Sequence, residues 1–152
     1  MDAIDVRLLE LLRANARLSY AELGRQVGLS APAVHERVGK LEAGGVIRAY
    51  RADVAPETVG LGVTALIGVV EDSGGDTDDV LAAFREMPEI ESCYFTAGVE
   101  SFLLKARVGT IAELEQLIVR LNRTPGVAST RTTIALSTKW EDRPQPLTPP
   151  SA

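Results

Sequence analysis

The chain has 152 residues, enough for one ordinary domain or two small ones, and its 45% hydrophobic and 24% charged residues exclude a disordered chain. No apolar run approaches the roughly 18 residues of a membrane span, and the acidic, amphipathic start MDAIDVRLLE lacks a signal-peptide layout, so a cytoplasmic protein with no membrane partner is expected. The net charge of −5 argues against a general nucleic-acid coat, and the lone Cys93 excludes an internal disulfide or a cysteine-rich metal site.

The first predicted element is a helix capped by Asp2, with Ile4, Leu8, Leu11 and Leu12 as its core stripe. Residues 19–41, SYAELGRQVGLSAPAVHERVGKL, read as two further helices joined by a tight turn. Ser19 with Glu22 is a capping box that starts a helix at Tyr20, and Leu23 and Val27 give it an apolar face. Gly28 can take the left-handed conformation that ends it. Ser30 caps the next helix, and Pro32 falls in its first turn, where a missing N–H costs little. Val34, Val38 and Leu41 then face inward, and the opposite face carries Ala31, His35, Arg37 and Lys40. This is a helix-turn-helix with a cationic second helix; an ordinary helical hairpin with a solvated face is the alternative. After Gly44 and Gly45, residues 46–51 (VIRAYR) read as a strand with Arg48 and Arg51 available to phosphate, completing a winged helix over residues 1–52. Charge divides accordingly: residues 1–52 carry a net +2 and residues 53–152 a net −7. The acidic part should repel DNA while the first part docks, which predicts an oriented, salt-sensitive binder of double-stranded DNA.

Residues 53–62, with Pro56, Gly60 and Gly62, read as a linker. Beyond it strands alternate with helices. Residues 62–71 form a β-branched apolar strand and residues 72–79 a polar loop. A helix with Val80, Leu81, Phe84 and Met87 inward stops at Pro88. Residues 89–97 are a strand, residues 98–101 a turn and residues 102–108 the returning strand. Thr110 with Glu113 is a second capping box; its helix points Leu114, Leu117, Ile118 and Leu121 inward. A last strand covers residues 127–139, and residues 143–152, with four of the eight prolines, read as a disordered tail. Cys93 is expected as a small packed side chain, with a redox sensor as the alternative.

The fold class is therefore α+β: a winged helix-turn-helix followed by a ferredoxin-like βαββαβ plait over residues 63–142. Right-handed connections put both helices on one face of the sheet. Residues 63–70 are apolar on both alternating faces, and a second copy, sheet against sheet, would bury the open one in a two-fold dimer. Lys105 and Arg107 temper that face. Such a dimer would present two recognition helices to a palindromic site. There is no Gly-rich phosphate loop, no nucleophile with a histidine partner and no metal-ligand spacing, so no catalytic residue, metal or cofactor is expected.

A winged helix followed by this plait resembles the leucine-responsive regulator/AsnC family of bacterial and archaeal transcription factors. The resemblance covers residues 1–142 and rests on Ile4-Asp5 before a leucine-rich helix, ELGRQVGLS running into ERVGKLEAGGVIRAY, ESCYFTAG, ESFLLKARV and PGVASTRTTIAL. It implies a sequence-specific DNA-binding regulator that forms homodimers, often four in an octameric ring, whose second domain senses a small molecule, commonly an amino acid. The DNA-contacting residues it implies are Ser30, His35, Arg37 and Lys40, with Arg48 in the wing. Arg and Lys can meet guanine edges or phosphate. Glu36 accepts from cytosine or tunes the local field, and His35 is a base or phosphate contact or a plain surface imidazole.

The resemblance also implies an effector site at the turn Gly98, Val99, Glu100 and Ser101, at an interface between dimers, with Thr132, Thr133 and Ile134 as further lining candidates. Many members have an acidic residue where this chain has Ser101, so a natural partner for a ligand ammonium is missing; Glu100 is adjacent, but neighbouring strand residues point opposite ways. A plain hairpin turn that needs Gly98 for its backbone is the alternative. Some siroheme decarboxylases share the architecture, but a second domain with no histidine and a net −7 is hostile to a polyanionic tetrapyrrole. A third reading is an assembly or ligand-binding module that does not bind DNA.

Overall fold

The structure is a computed structural model, and it describes residues 1–147. The chain divides into two compact units near Asp53.

The first unit contains three helices, α1 (Ala3–Ala14), α2 (Tyr20–Val27) and α3 (Ala31–Ala43). Helices this short are marginal in isolation, so their persistence depends on caps and on a shared core. Asp2 and Asp5 form a reciprocal capping box on α1, and Ser19 and Glu22 do so on α2. The Ser19 hydroxyl and N–H both donate to Glu22, which holds that carboxyl below its usual range. The Ser30 hydroxyl accepts from the Ala33 N–H at 3.4 Å and opens α3. Leu8, Leu11 and Leu12 of α1, Leu23 of α2, and Val34 and Val38 of α3 make one buried cluster. Each buried aliphatic side chain contributes roughly 2 kcal/mol.

Residues 46–51 are not a strand. A strand needs a partner for its backbone groups, and no segment among the described residues pairs with this run. Its first N–H groups, those of Val46 and Ile47, instead donate to the Leu41 carbonyl at 2.9 and 3.1 Å, and Ile47 packs on the three-helix core. The winged-helix expectation is thus met in its three helices but not in its strand.

The second unit begins at Val54. Pro56–Val59 is a 3-10 turn, and Gly60 follows with φ 80°. A Cβ on Gly109 would lie 2.7 Å from the Gly60 carbonyl oxygen, so this segment packs closely at the end of the sheet. Then come β1 (Val63–Glu71), α4 (Thr77–Arg85), β2 (Ile90–Phe95), β3 (Phe102–Val108), α5 (Ile111–Arg123) and β4 (Val127–Ala135). The sheet has the order β2-β3-β1-β4, antiparallel throughout. This is the expected βαββαβ plait.

Val80 and Phe84 of α4 and Leu114, Leu117 and Leu121 of α5 pack on Ala65, Ile67 and Val69 of β1 and on Phe102, Leu104, Ala106 and Val108 of β3. Both helices therefore cover one face. β4 ends at Ala135 rather than at Lys139; Ala135 pairs with Thr64, and β1 begins only one residue earlier, at Val63. Cys93 is exposed on the edge strand β2, not packed as expected; partial burial of its sulfur pushes the thiol above its ordinary pKa. Residues 140–147 group with the first unit. Within the expected tail, the Gln145 carbonyl accepts from Arg13 at 2.7 Å; residues 148–152 lie outside the described residues.

Candidate nucleic-acid interface and effector turn

The turn between α2 and α3 is set by close backbone approach. A Cβ on Gly24 would sit 2.4 Å from the Leu29 carbonyl oxygen, so only glycine admits the chain there. Gly28 ends α2 at φ 72°, as expected. The result is a rigid corner from which α3 projects. Pro32, His35, Glu36 and Lys40 are exposed on its outer side. The His35 ring lies 5.1 Å from the ring of Tyr20 at the start of α2. The Lys40 ammonium donates to Glu36 at 2.7 Å, a hydrogen bond that holds the Glu36 carboxyl below its usual range. An i,i+4 pair this exposed is screened by water and holds weakly, so phosphate can displace it. Arg48 is exposed after α3.

Arg37 departs from expectation. It lies three residues after Val34 and four before Leu41, so it borders the buried stripe rather than the outer face. Its Nη1 donates to Asp2 Oδ2 at 2.8 Å and to Asp5 Oδ1 at 2.7 Å, at the start of α1. Ser30, His35, Lys40 and Arg48 are exposed, whereas Arg37 is half-buried and engaged within the unit. Among the described residues, Arg17, Arg25, Arg48 and Arg51 form no ion pair, so the available cationic surface extends beyond α3.

In the second unit the loop between β2 and β3 folds back on the sheet. The Thr96 hydroxyl donates to the Glu100 carbonyl at 2.6 Å, the Ser101 N–H donates to the Val69 carbonyl at 2.8 Å, and the Ser101 hydroxyl accepts from the Glu71 N–H at 3.4 Å. Gly68, in the middle of β1, leaves the space that the Glu100 side chain fills: a Cβ there would be 2.6 Å from Glu100 Cγ. Glu100 Oε1 in turn pairs with Arg131 of β4 at 3.0 Å. Strand alternation would set Glu100 and Ser101 on opposite sides, but Glu100 precedes β3 in an irregular turn, and its side chain lies across Gly68.

Val99 is exposed at the tip of the loop, and Gly98 has neither a positive φ nor a neighbour within 4 Å of a built Cβ. The fold itself does not require glycine at position 98. Register separates the three expected lining residues. Thr133 pairs with Leu66 and shares the open face with Arg131, which pairs with Gly68. Thr132 and Ile134 pair with Ile67 and Ala65, whose side chains are in the core, so they lie on the helix-covered face and do not join Glu100.

Gly24, Gly68 and Arg131 were not singled out from the sequence. Gly68 had a signal, since a glycine inside a β-branched strand marks close approach by another group. Arg131 had none, because only strand pairing brings it beside residue 68.

Residues 1–42 match the AsnC-type helix-turn-helix domain, and residues 63–145 match the Lrp/AsnC ligand-binding domain. The HTH-type transcriptional regulator LrpA of Mycobacterium tuberculosis is 39% identical over 143 residues, covering 94% of this chain and 95% of that protein. Regulatory protein AsnC of Escherichia coli K12 is 34% identical over 137 residues, 90% of each chain. The feast or famine regulatory protein of M. tuberculosis, solved in complex with L-methionine, superposes with a TM-score of 0.90 at 38% identity, over 96% of this chain and 99% of that one. Two domains in the same order, matched over nearly the full length, leave one assignment: the chain belongs to the Lrp/AsnC family of transcriptional regulators.

Proposed function

We propose that this regulator binds a palindromic operator as a homodimer and that an α-amino acid, docking at the turn of residues 98–101, modulates that binding. The observation that carries the DNA reading is the glycine-locked corner that projects α3, with Ser30, His35 and Lys40 exposed on it and Arg48 exposed beyond it. The helix enters the major groove, and Lys40 and Arg48 neutralise phosphates or read guanine.

For the effector, Glu100 and Arg131 offer one carboxylate and one guanidinium on the same face. That matches the ammonium and carboxylate of a free amino acid. Ser101 adjoins Glu100 in the chain, Thr133 shares the open face with Arg131, and Gly98 and Val99 form the rest of the proposed turn. The L-methionine complex of the M. tuberculosis protein supports the ligand class. Dimerisation is supported by the open face of the sheet, where Leu66 is 41%, Leu103 39% and Tyr94 57% exposed. Assembly of four such dimers follows family precedent. The working compartment is the cytoplasm; no helix among the described residues is long and apolar enough to cross a membrane. We read the chain as a regulator and not an enzyme, consistent with relatives that are named as transcriptional regulators.

Fluorescence anisotropy tests the reading, on a duplex from the chain's own upstream region against a random duplex, at two salt concentrations, with and without a mixed amino-acid pool. Preferential, salt-dependent binding that shifts with the pool is the expected result. Lys40→Ala and Arg48→Ala should each reduce the slope of log affinity against log salt by about 0.9, the contribution of one phosphate. Equal, salt-insensitive binding to both duplexes would refute the operator reading.

A further inference from the structure

All four carboxylate oxygens at the start of α1 are engaged. Asp2 Oδ1 accepts from the Asp5 N–H and Asp5 Oδ2 from the Asp2 N–H, both at 2.9 Å, which closes the capping box. The remaining oxygens, Asp2 Oδ2 and Asp5 Oδ1, both accept from Nη1 of Arg37 on α3. The arginine side chain is 33% exposed, that of Asp5 15% and that of Asp2 53%, so the Asp5 half of the contact is partly shielded from water. One guanidinium nitrogen thus closes a ring through the cap of α1, using both of its hydrogens. Apart from this ring, α1 and α3 meet through aliphatic side chains, which resist separation but set orientation weakly.

We propose that Arg37 is a positioning residue of the DNA-binding unit: it fixes α3 against the N-terminus of α1 and makes no contact with DNA. The inference rests on the DNA-binding reading above. It reverses the role expected for this residue from the sequence, and it makes Asp2 and Asp5, two acids in a unit that approaches a polyanion, contributors to DNA binding. Simple electrostatics predicts the opposite, since removing an acid from such a unit should strengthen its attraction to phosphate.

The test uses the full-length protein and a duplex selected by the wild type from a random-sequence pool. Arg37→Ala, Arg37→Lys, Asp5→Asn and the Arg37→Ala/Asp5→Asn double variant are compared at a temperature where circular dichroism shows each to be folded. Arg37→Ala and Asp5→Asn should each weaken binding about fivefold, as expected for loss of one or two partly exposed pairs. The salt slope should stay at the wild-type value, the double variant should bind no worse than Arg37→Ala, and Arg37→Lys should recover part of the loss. A slope reduced by about one in Arg37→Ala, with Asp5→Asn binding as well as or better than wild type, would make Arg37 a phosphate contact and overturn the proposal. So would wild-type affinity in folded Arg37→Ala. If Asp5→Asn does not fold, the slope of Arg37→Ala and the recovery in Arg37→Lys still decide between the two. Failure of the wild type to enrich any sequence would overturn the DNA-binding reading itself, and this proposal with it.

Discussion

Two glycines, one in each unit, leave room for a close approach, and they admit different things. Gly24 lets a backbone carbonyl, that of Leu29, approach to a distance no Cβ tolerates. Gly68 lets a charged side chain, that of Glu100, lie across the middle of a strand. Backbone held by two flanking helices cannot give way, so the corner of the helix-turn-helix is rigid. A glutamate side chain can rotate out, and its partner Arg131 is 74% exposed, so this ion pair is exchangeable. The helix-turn-helix unit therefore holds a fixed corner, while the other unit carries an ion pair whose members can separate.

The largest effect should come from breaking the rigid turn. Gly24→Ala forces Leu29 and α3 away from α2 and should cost about 3 kcal/mol, at the upper end for overpacking. Thermal denaturation should show the first unit unfolding earlier than in wild type, with operator binding lost and the transition of the second unit unchanged. A melting curve that coincides with wild type would show that the corner is not fixed by this approach.

At the exchangeable ion pair the balance between stability and function should invert. Gly68→Ala displaces only Glu100 and should cost less than about 1 kcal/mol. Calorimetric titration with L-methionine should nevertheless show weakened or absent binding, and Glu100→Gln should do the same without any loss of stability. Full retention of amino-acid binding in both variants would remove Glu100 from the effector site.

The smallest effect concerns pH. The backbone hydrogen bond from Asp5, and then the bond from Arg37, hold the Asp2 carboxyl below its ordinary value of 3.8. A depressed acid contributes stability that is fully present above its unfolded pKa and is lost as pH falls through the lower folded value. Asp2→Asn keeps a competent cap but loses the charge. Its denaturation midpoint should therefore lie slightly below wild type at neutral pH and converge with it as Asp2 becomes protonated in acid. A constant offset down to the lowest pH would assign the difference to something other than this carboxylate.

The parts of the molecule legible in the sequence were those that depend on neighbours a few residues apart. Ser19 with Glu22, Thr110 with Glu113, and Gly28 act within one turn of helix, so their meaning survives without a fold. The order of strands and helices was legible for the same reason, because periodicity is local. The strand-like composition of residues 46–51 misled because propensity does not supply a partner, and the run instead caps α3 through the Leu41 carbonyl. Thr132, Thr133 and Ile134 were adjacent in sequence, but alternation sends only the middle one to the open face.

By itself, then, the sequence determined the elements, their caps, the division into a helical unit and a plait, and the family. Tertiary structure decided which charges are available and which are already engaged. Arg37 is committed to Asp2 and Asp5 because α3 crosses the start of α1, and Glu100 meets Arg131 because antiparallel pairing aligns residue 68 with residue 131. A charge acts over distances in space, and sequence separation carries that distance only inside a helix or a strand.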